Sequence, residues 1–203
     1  MADEPIKLTI QDTPDKLRPL AEEAARFLAG VLGELAEAEN RSFAQYTRLY
    51  KKGRVVEFRD GVREEITDTQ MWKAKSQARF AALLDPHCTE KHIAQRRECL
   101  HSTHFPSSFN CIKTGCELVV TAKSAKKAEV WVIPAKGPIP FDLRDADTRY
   151  LVEDARGSGH SAQFYNYFQK FRFVLRREGE GWRIDEVYNA AASQDRYRRD
   201  YYF

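Results

Sequence analysis

The strongest constraint on the fold is a stretch of alternating apolar and polar residues near the end of the chain. Over residues 171–188, Phe, Leu, Trp and Ile alternate with Arg and Asp, and an acidic, glycine-containing turn at 178–181 interrupts the run. Alternation with a period of two predicts two antiparallel strands, at 163–177 and 182–189, with one face buried and one in water. Only amphipathic helices elsewhere in the chain are long and apolar enough to cover the buried face.

A long helical region near the start of the chain supplies part of that cover. Thr13 and Pro14 predict a helix start, because a hydroxyl can cap the first turn and proline fits its first position. Apolar residues then recur every three or four positions over 17–35 and again over 43–50. This pattern indicates either one helix that bends near residue 40 or two helices that meet there.

A short strand and a further helix follow. The strand is predicted at 54–59 and is closed by an Asp60-Gly61 turn. Thr67 or Asp68 then caps a helix that ends near an Asp85-Pro86 pair. Its predicted apolar side consists of Met71, Trp72, Ala78, Ala81 and Leu84.

Helices followed by a run of strands predict an α+β protein with N-terminal helices packed on a mostly antiparallel sheet. A chain of 203 residues that is 42% hydrophobic can bury such a core without disulfides or metal. We expect one domain over 1–203. Its parts are a helical region at about 14–85, an irregular insertion at about 87–115, a sheet at about 117–190 and a basic, aromatic tail at 191–203.

The charge balance and the chain start bear on location and partners. The net charge is +3, from 33 basic and 30 acidic side chains, which argues against a dedicated nucleic-acid-binding protein. The first ten residues lack a basic run followed by an apolar run, so we expect no secretion signal, and no stretch is apolar enough to span a membrane. The prediction is a cytoplasmic protein with reduced thiols.

The final strands also carry a family resemblance. An apolar-alternating strand, an acidic turn and then Gly181-Trp182-Arg183-Ile184-Asp185 resemble the closing hairpin of the nuclear-transport-factor-2-like superfamily. The resemblance implies a cone in which N-terminal helices lie across the concave side of a strongly curved sheet. In its high content of charged residues, its extra segments and its lack of a catalytic motif, the chain is most similar to the immunity proteins of bacterial polymorphic (Rhs-type) toxin systems. That similarity implies a non-catalytic protein that binds and neutralises a cognate toxin effector in the cytosol.

The polar side of the final hairpin is the predicted contact surface for such a toxin. Charge complementarity across an interface speeds association and sets specificity. The alternative is a solvated face on which single ion pairs contribute little. The predicted contact residues are Lys170, Arg172, Arg176, Arg183 and Asp185.

The other functional hypothesis is a small-molecule isomerase or dehydratase, or a ligand-binding cone. Such an enzyme needs a general base near an acidic C–H and a donor for the developing oxyanion. Alternation places Glu186 on the buried face with Trp182 and Ile184, where a carboxylate is costly unless it is paired or functional. An arginine partner or an exposed sheet end is the alternative. The full candidate set is Glu186, Asp154, His160, Tyr165, Tyr167 and Tyr188.

Histidine and cysteine are concentrated in one segment. Eight of the nine such residues lie between 87 and 116, a clustering that is compatible with a structural zinc site. Their spacing matches no CxxC-type finger, so buried thiols are the alternative and no cofactor is expected otherwise. The candidate zinc ligands are Cys88, His92, Cys99, His101, His104, Cys111 and Cys116.

Overall fold

A computed structural model of the chain describes residues 6–59, 61–99, 116–134, 169–191 and 196–200. Three α-helices and eight strands lie in these ranges, in the order β1 (Lys7–Ile10), α1 (Arg18–Lys52), β2 (Val55–Arg59), β3 (Val62–Ile66), α2 (Thr69–Leu84), α3 (Glu90–Cys99), β4 (Cys116–Ser124), β5 (Lys127–Pro134), β6 (Gln169–Glu178), β7 (Gly181–Ala191) and β8 (Arg198–Arg199). The helix α3 lies inside the segment predicted to be an irregular insertion. Of the strand predicted at 163–177, residues 163–168 fall outside the described residues, and the rest lies in β6.

Six strands form one sheet in the order β1-β4-β5-β6-β7-β8. The strand β1 runs parallel to β4, and every other neighbouring pair is antiparallel. The predicted α+β class and mostly antiparallel sheet are therefore confirmed. The sheet is open, with β1 and β8 at its edges, and it is not strongly curled.

The helix α1 covers one face of this sheet. It is a single helix that runs through residues 40–41, which decides between the one-helix and two-helix alternatives. Its residues Leu28, Leu32 and Leu35 are buried in one core with Leu118 of β4 and Phe173 of β6. None of the described helices is both long enough and apolar enough to cross a bilayer.

The predicted cap at Thr13 is wrong. No side chain caps the first turn of α1, which begins at Arg18 after a short 3₁₀ turn. The Thr13 hydroxyl instead accepts a hydrogen bond from the Ala122 backbone N–H at 2.9 Å and donates to the carbonyl of Gln11 at 3.0 Å. The strand β1 was not predicted, because a four-residue strand that pairs with residues about 110 positions away has no local signal in the sequence.

The prediction for α2 is right at its start and partly wrong along its buried side. Asp68 caps the helix by accepting a hydrogen bond from the backbone N–H of Met71 at 2.8 Å. The buried residues are Trp72, Ser76, Phe80 and Leu84, whereas Met71 and Ala78 are exposed. A serine belongs to the buried line because its hydroxyl bonds the Ser42 hydroxyl at 2.8 Å, which removes the cost of burying it.

The strands β2 and β3 form a separate two-stranded hairpin. The inward-facing Val55 and Ile66 are buried with Leu49 of α1 and Trp72 of α2 in a second, smaller core. The Trp72 indole N–H donates to the Ser42 carbonyl at 2.9 Å, so the large ring is also fixed by a hydrogen bond. An isolated hairpin is marginal in water, and this core holds it against both helices.

We expect Phe173→Ala to lower the free energy of unfolding by about 3–5 kcal/mol, because it leaves a cavity in the main core. Phe173 is fully buried, whereas Phe58 on β2 is the most exposed large apolar side chain in the described chain. Denaturant titration of Phe173→Ala and of the control Phe58→Thr measures both. Equal losses in the two variants would contradict the assignment of Phe173 to the core.

Candidate functional site

A β-bulge in β7 decides which side chains of the last hairpin face the core. The pairing shifts from Val174 opposite Glu186 to Leu175 opposite Ile184, so Asp185 is the extra residue. Ile184 before the bulge and Val187 after it are both buried in the main core. The prediction that Glu186 shares the face of Ile184 is therefore wrong, and the same holds for Tyr188. Both lie on the face opposite α1, which we call the outer face.

The prediction that Asp185 lies in water is also wrong, since only 3% of the residue is exposed. Its carboxylate accepts a hydrogen bond from the Thr89 hydroxyl at 3.0 Å and one from the Arg176 guanidinium at 3.0 Å. The Lys91 ammonium lies 3.9 Å away. Burial by itself would raise the pKa of Asp185, but these bonds and charges together hold the pKa below its usual value.

Thr89 ties α3 to the edge of β7 through three bonds. Its backbone N–H donates to the Ile184 carbonyl at 2.9 Å, and its hydroxyl accepts from the His92 N–H at 3.2 Å while it donates to Asp185. One residue therefore caps the start of α3 and satisfies a buried carboxylate. This junction positions the charged residues of α3 over the outer face.

Glu186 is engaged by three neighbours. The Tyr188 hydroxyl donates to its carboxylate at 2.7 Å, the Lys91 ammonium lies at 3.1 Å and the Arg199 guanidinium at 3.5 Å. Burial would raise the pKa of Glu186, but the bonds from Tyr188 and Lys91 and the charges of Arg199 and Lys91 hold the pKa below its usual value. Burial and the bond to Glu186 raise the pKa of Tyr188. Glu186 is therefore an anion at neutral pH.

The predicted basic contact residues take part in the same internal pairing. The Arg172 guanidinium lies 4.3 Å from the ring centre of Tyr188 and 5.9 Å from that of Tyr197, and Lys170 lies 5.6 Å from Tyr197. Arg176, whose side chain is half-exposed, pairs with Asp185 and stands opposite Arg183 in the register. The structure thus brings all five predicted contact residues to β6 and β7, and Lys170, Arg172, Arg176 and Asp185 have partners within the chain.

The remaining predicted enzyme residues, Asp154, His160, Tyr165 and Tyr167, lie outside the described residues. The zinc candidates divide in the same way, since His101, His104 and Cys111 are outside and Cys99 ends α3. Cys88 and Cys116 are buried thiols, and burial raises the pKa of Cys88 to about 12 although the Arg183 charge opposes the shift. Within the described ranges no three His, Cys, Asp or Glu side chains are grouped for a metal ion. Zinc stays a prediction.

A cleft of about 730 Å³ between α1, α2 and β2 was not predicted. Arg79 of α2 donates to Gln45 at 3.1 Å, to Glu57 of β2 at 3.0 Å and to Glu64 of β3 at 3.2 Å, and Lys75 donates to Glu64 at 3.2 Å. The bond and the charge from Lys75, followed by those from Arg79, lower the pKa of Glu64. These ion pairs clamp the inward side of the hairpin to α2.

The opposite side of the hairpin exposes a group of apolar side chains. Among the eight exposed large apolar residues of the described chain, Phe58 at 77%, Tyr50 at 64% and Val62 at 61% are the three most exposed. Val56, at 39%, lies two residues from Phe58 on the same strand face. Val62 pairs with Arg59 and therefore lies on the inward side with Glu64 and Ile66, and Tyr50 belongs to α1. We call Val56 and Phe58 the hairpin patch. The available sequence signal was a short strand with apolar residues on both of its faces.

Comparison with known proteins assigns no relative: no protein family, curated protein or solved structure matches this chain.

We expect Thr89→Val to lower the free energy of unfolding by about 1–3 kcal/mol, because it removes a helix cap and leaves a buried carboxylate short of a donor. Thr89→Ser keeps the hydroxyl and is the matched control. Thermal or denaturant unfolding of both variants measures the difference. A serine variant that loses as much stability as the valine variant would assign the effect to packing.

The stability contribution of Asp185 should depend on pH. Because its pKa is lowered in the folded state, the contribution is complete above the unfolded pKa of about 3.9 and is lost as the pH falls through the folded value. The difference in unfolding free energy between the wild type and Asp185→Asn should therefore shrink as the pH falls below the unfolded pKa. The exposed Asp15→Asn is the control, and a pH-independent difference for Asp185→Asn would refute the assignment.

Proposed function

We propose that this chain is a non-catalytic immunity protein that binds and neutralises a cognate toxin effector in the bacterial cytoplasm. The observation that carries the proposal is the hairpin patch. Soluble monomers usually expose large apolar side chains singly, and a group of them marks a protein-binding surface. Phe58, the most exposed of the large apolar side chains in the described residues, is aromatic, and aromatic residues dominate binding energy at interface centres.

The anchoring of the hairpin supports the same conclusion. Val55 and Ile66 are buried in the second core, and Arg79 bonds both strands through Glu57 and Glu64. A binding surface held in place before association loses less conformational freedom when a partner docks. The patch is therefore preorganised for a protein partner.

The class of partner rests on two resemblances. The closing hairpin resembles that of the nuclear-transport-factor-2-like superfamily, and the chain as a whole resembles the toxin-immunity proteins. The order of helices and strands, with α1 across one face of the sheet and a final Gly181-Trp182 strand, supports a distant relation to the nuclear-transport-factor-2-like cone. Under this proposal the chain is a flattened variant of that fold, since its sheet is open over the described strands. The outer face is a second predicted contact region, through Lys170, Arg172, Arg176 and Arg183, whereas the fifth predicted residue, Asp185, is buried and bonded to Arg176.

The alternative is an isomerase, a dehydratase or a ligand-binding protein. The cleft between α1, α2 and β2 favours ligand binding because of its size. Against catalysis by Glu186, that carboxylate is held as an anion by Lys91, Tyr188 and Arg199 on the face opposite α1. A general base matched to neutral pH needs a raised pKa instead.

A pull-down of the tagged chain from a lysate of its source bacterium, followed by mass spectrometry, tests the proposal. We expect a large secreted or Rhs-type protein at near-equal stoichiometry. The toxin domain of that protein, expressed in a heterologous bacterial host, should stop growth, and co-expression of this chain should restore it. Growth that stays arrested would overturn the immunity function.

The double variant Val56→Asp/Phe58→Asp should lose protection in this growth assay, because two charges replace both apolar side chains of the patch. Arg26→Glu, an exposed charge reversal on α1, is the control and should protect as well as the wild type. Circular dichroism confirms that both variants are folded. Full protection by the aspartate variant would place the toxin contact elsewhere, with the outer face as the next surface to mutate.

A further inference from the structure

The β3 edge of the hairpin is open to another strand. No other strand in the described part of the chain pairs with β2 or β3. The strand β2 is the one nearer α1, since Gln45 of α1 donates to Glu57, whereas Glu64 of β3 is bonded by Lys75 and Arg79 of α2. The backbone of β3 therefore faces away from α1, and an open strand edge is a template for pairing with another chain.

The register determines which backbone groups point outward at this edge. Arg59 and Val62 flank a two-residue connection, where Gly61 takes a positive φ of 78°, and they form the closing pair of the hairpin. The closing pair is hydrogen-bonded, so alternation makes Arg63 and Glu65 members of non-hydrogen-bonded pairs. Their backbone N–H and C=O groups therefore point to the open edge.

The same two residues make the edge complementary to itself. In an antiparallel pairing of β3 with a second β3, centred on Glu64, Arg63 of each chain stands opposite Glu65 of the other. This arrangement uses the outward backbone groups of both residues and places opposite charges in cross-strand positions. The two central Glu64 side chains do not repel strongly, because Lys75 and Arg79 of their own chain neutralise each of them at 3.2 Å.

The exposed side of α2 fits the same arrangement. Ala74, Ala78 and Ala82 are exposed and lie four residues apart, so they form one line along the helix. One side of α2 faces α1 with the buried residues Trp72, Ser76 and Phe80. About a quarter of a turn around the helix axis from that side, Lys75 and Arg79 face the hairpin. The alanine line lies another quarter of a turn on, which is the side of the β3 edge.

The usual distances between strands and between helices allow the two β3 strands and the two α2 helices to meet in the same dimer. With strands about 4.8 Å apart, the midlines of two hairpins joined through β3 lie roughly 10 Å apart. Helices packed on the same face of those hairpins are then at the usual helix–helix distance of about 8–10 Å. The shorter distances in this range require small residues at the contact. The alanine line supplies those small residues.

We infer that a second copy of this chain docks on the β3 edge and on the alanine line of α2, giving a two-fold dimer with the strand order β2-β3-β3-β2. The interface is isologous, because each surface meets its own copy. It leaves the hairpin patch on the other side of the joined sheet available to a toxin. The inference does not depend on the proposed function.

Charge reversal tests this dimer with the full-length chain. In sedimentation velocity the wild type should have twice the 23.5 kDa mass of the chain. Arg63→Glu and Glu65→Arg each place like charges opposite one another at two positions, so each should weaken the dimer by about tenfold or more. An equimolar mixture of the two variants should form a heterodimer, because both charge pairs are then opposite. The ion pair within one chain, at 3.6 Å between Arg63 and Glu65, cannot produce rescue by mixing.

Ala78→Lys is an independent variant that blocks the helix contact and leaves the strand edge unchanged, and it should also give monomers. Arg26→Glu is the matched control and should stay dimeric. Thermal unfolding establishes that each variant is folded. A wild-type chain that is monomeric at about 100 μM, well within the range of weak interfaces, overturns the inference. So does a dimer that Arg63→Glu and Ala78→Lys both leave intact, or folded charge variants that do not combine.

Discussion

The structure depends on the burial of the apolar stripe of α1 against one face of β4–β7. That contact covers the sheet face on which the alternating apolar side chains lie. It also brings the first and last quarters of the chain into one core. The sheet needs the helix because each long strand carries a continuous line of apolar side chains such as Leu118 and Phe173. The helix needs the sheet because an isolated amphipathic helix is only marginally stable in water. Every other feature is attached to this two-layer unit.

The extension of α1 beyond the sheet creates the second structural unit. Its final turns carry Leu49 and Gln45 to α2 and the hairpin, where a small apolar core and the Arg79 ion pairs meet. Because Val55, Glu57, Glu64 and Ile66 on one side of the hairpin are used in this way, the other side is left for interactions with other molecules. Within the described residues the same is true of the β3 edge. The same packing thus accounts for both the hairpin patch and the open edge.

The bulge at Asp185 has a comparable effect at the other end of the sheet. It turns a carboxylate toward Thr89 and Arg176, and it sends Glu186 and Tyr188 to the outer face. The negative charges there are matched by Lys91, Arg176 and Arg199 within the chain. The carboxylates of this face therefore already have partners, whereas the hairpin patch has apolar surface in contact with water.

The α+β class, the final hairpin with its Trp182 strand and the start of α2 at Asp68 could all be predicted from the amino-acid sequence, because local periodicity and capping encode these features. The parallel β1–β4 pairing, the burial of Ser76 and the positions of Asp185 and Glu186 could not be predicted and came from the three-dimensional packing. Those features depend on partners distant in sequence and on a one-residue bulge, which reverses the side-chain phase without leaving a mark in the apolar pattern. The hairpin patch belongs to the second group, since burial of one strand face and exposure of the other follows from where α1 and α2 lie.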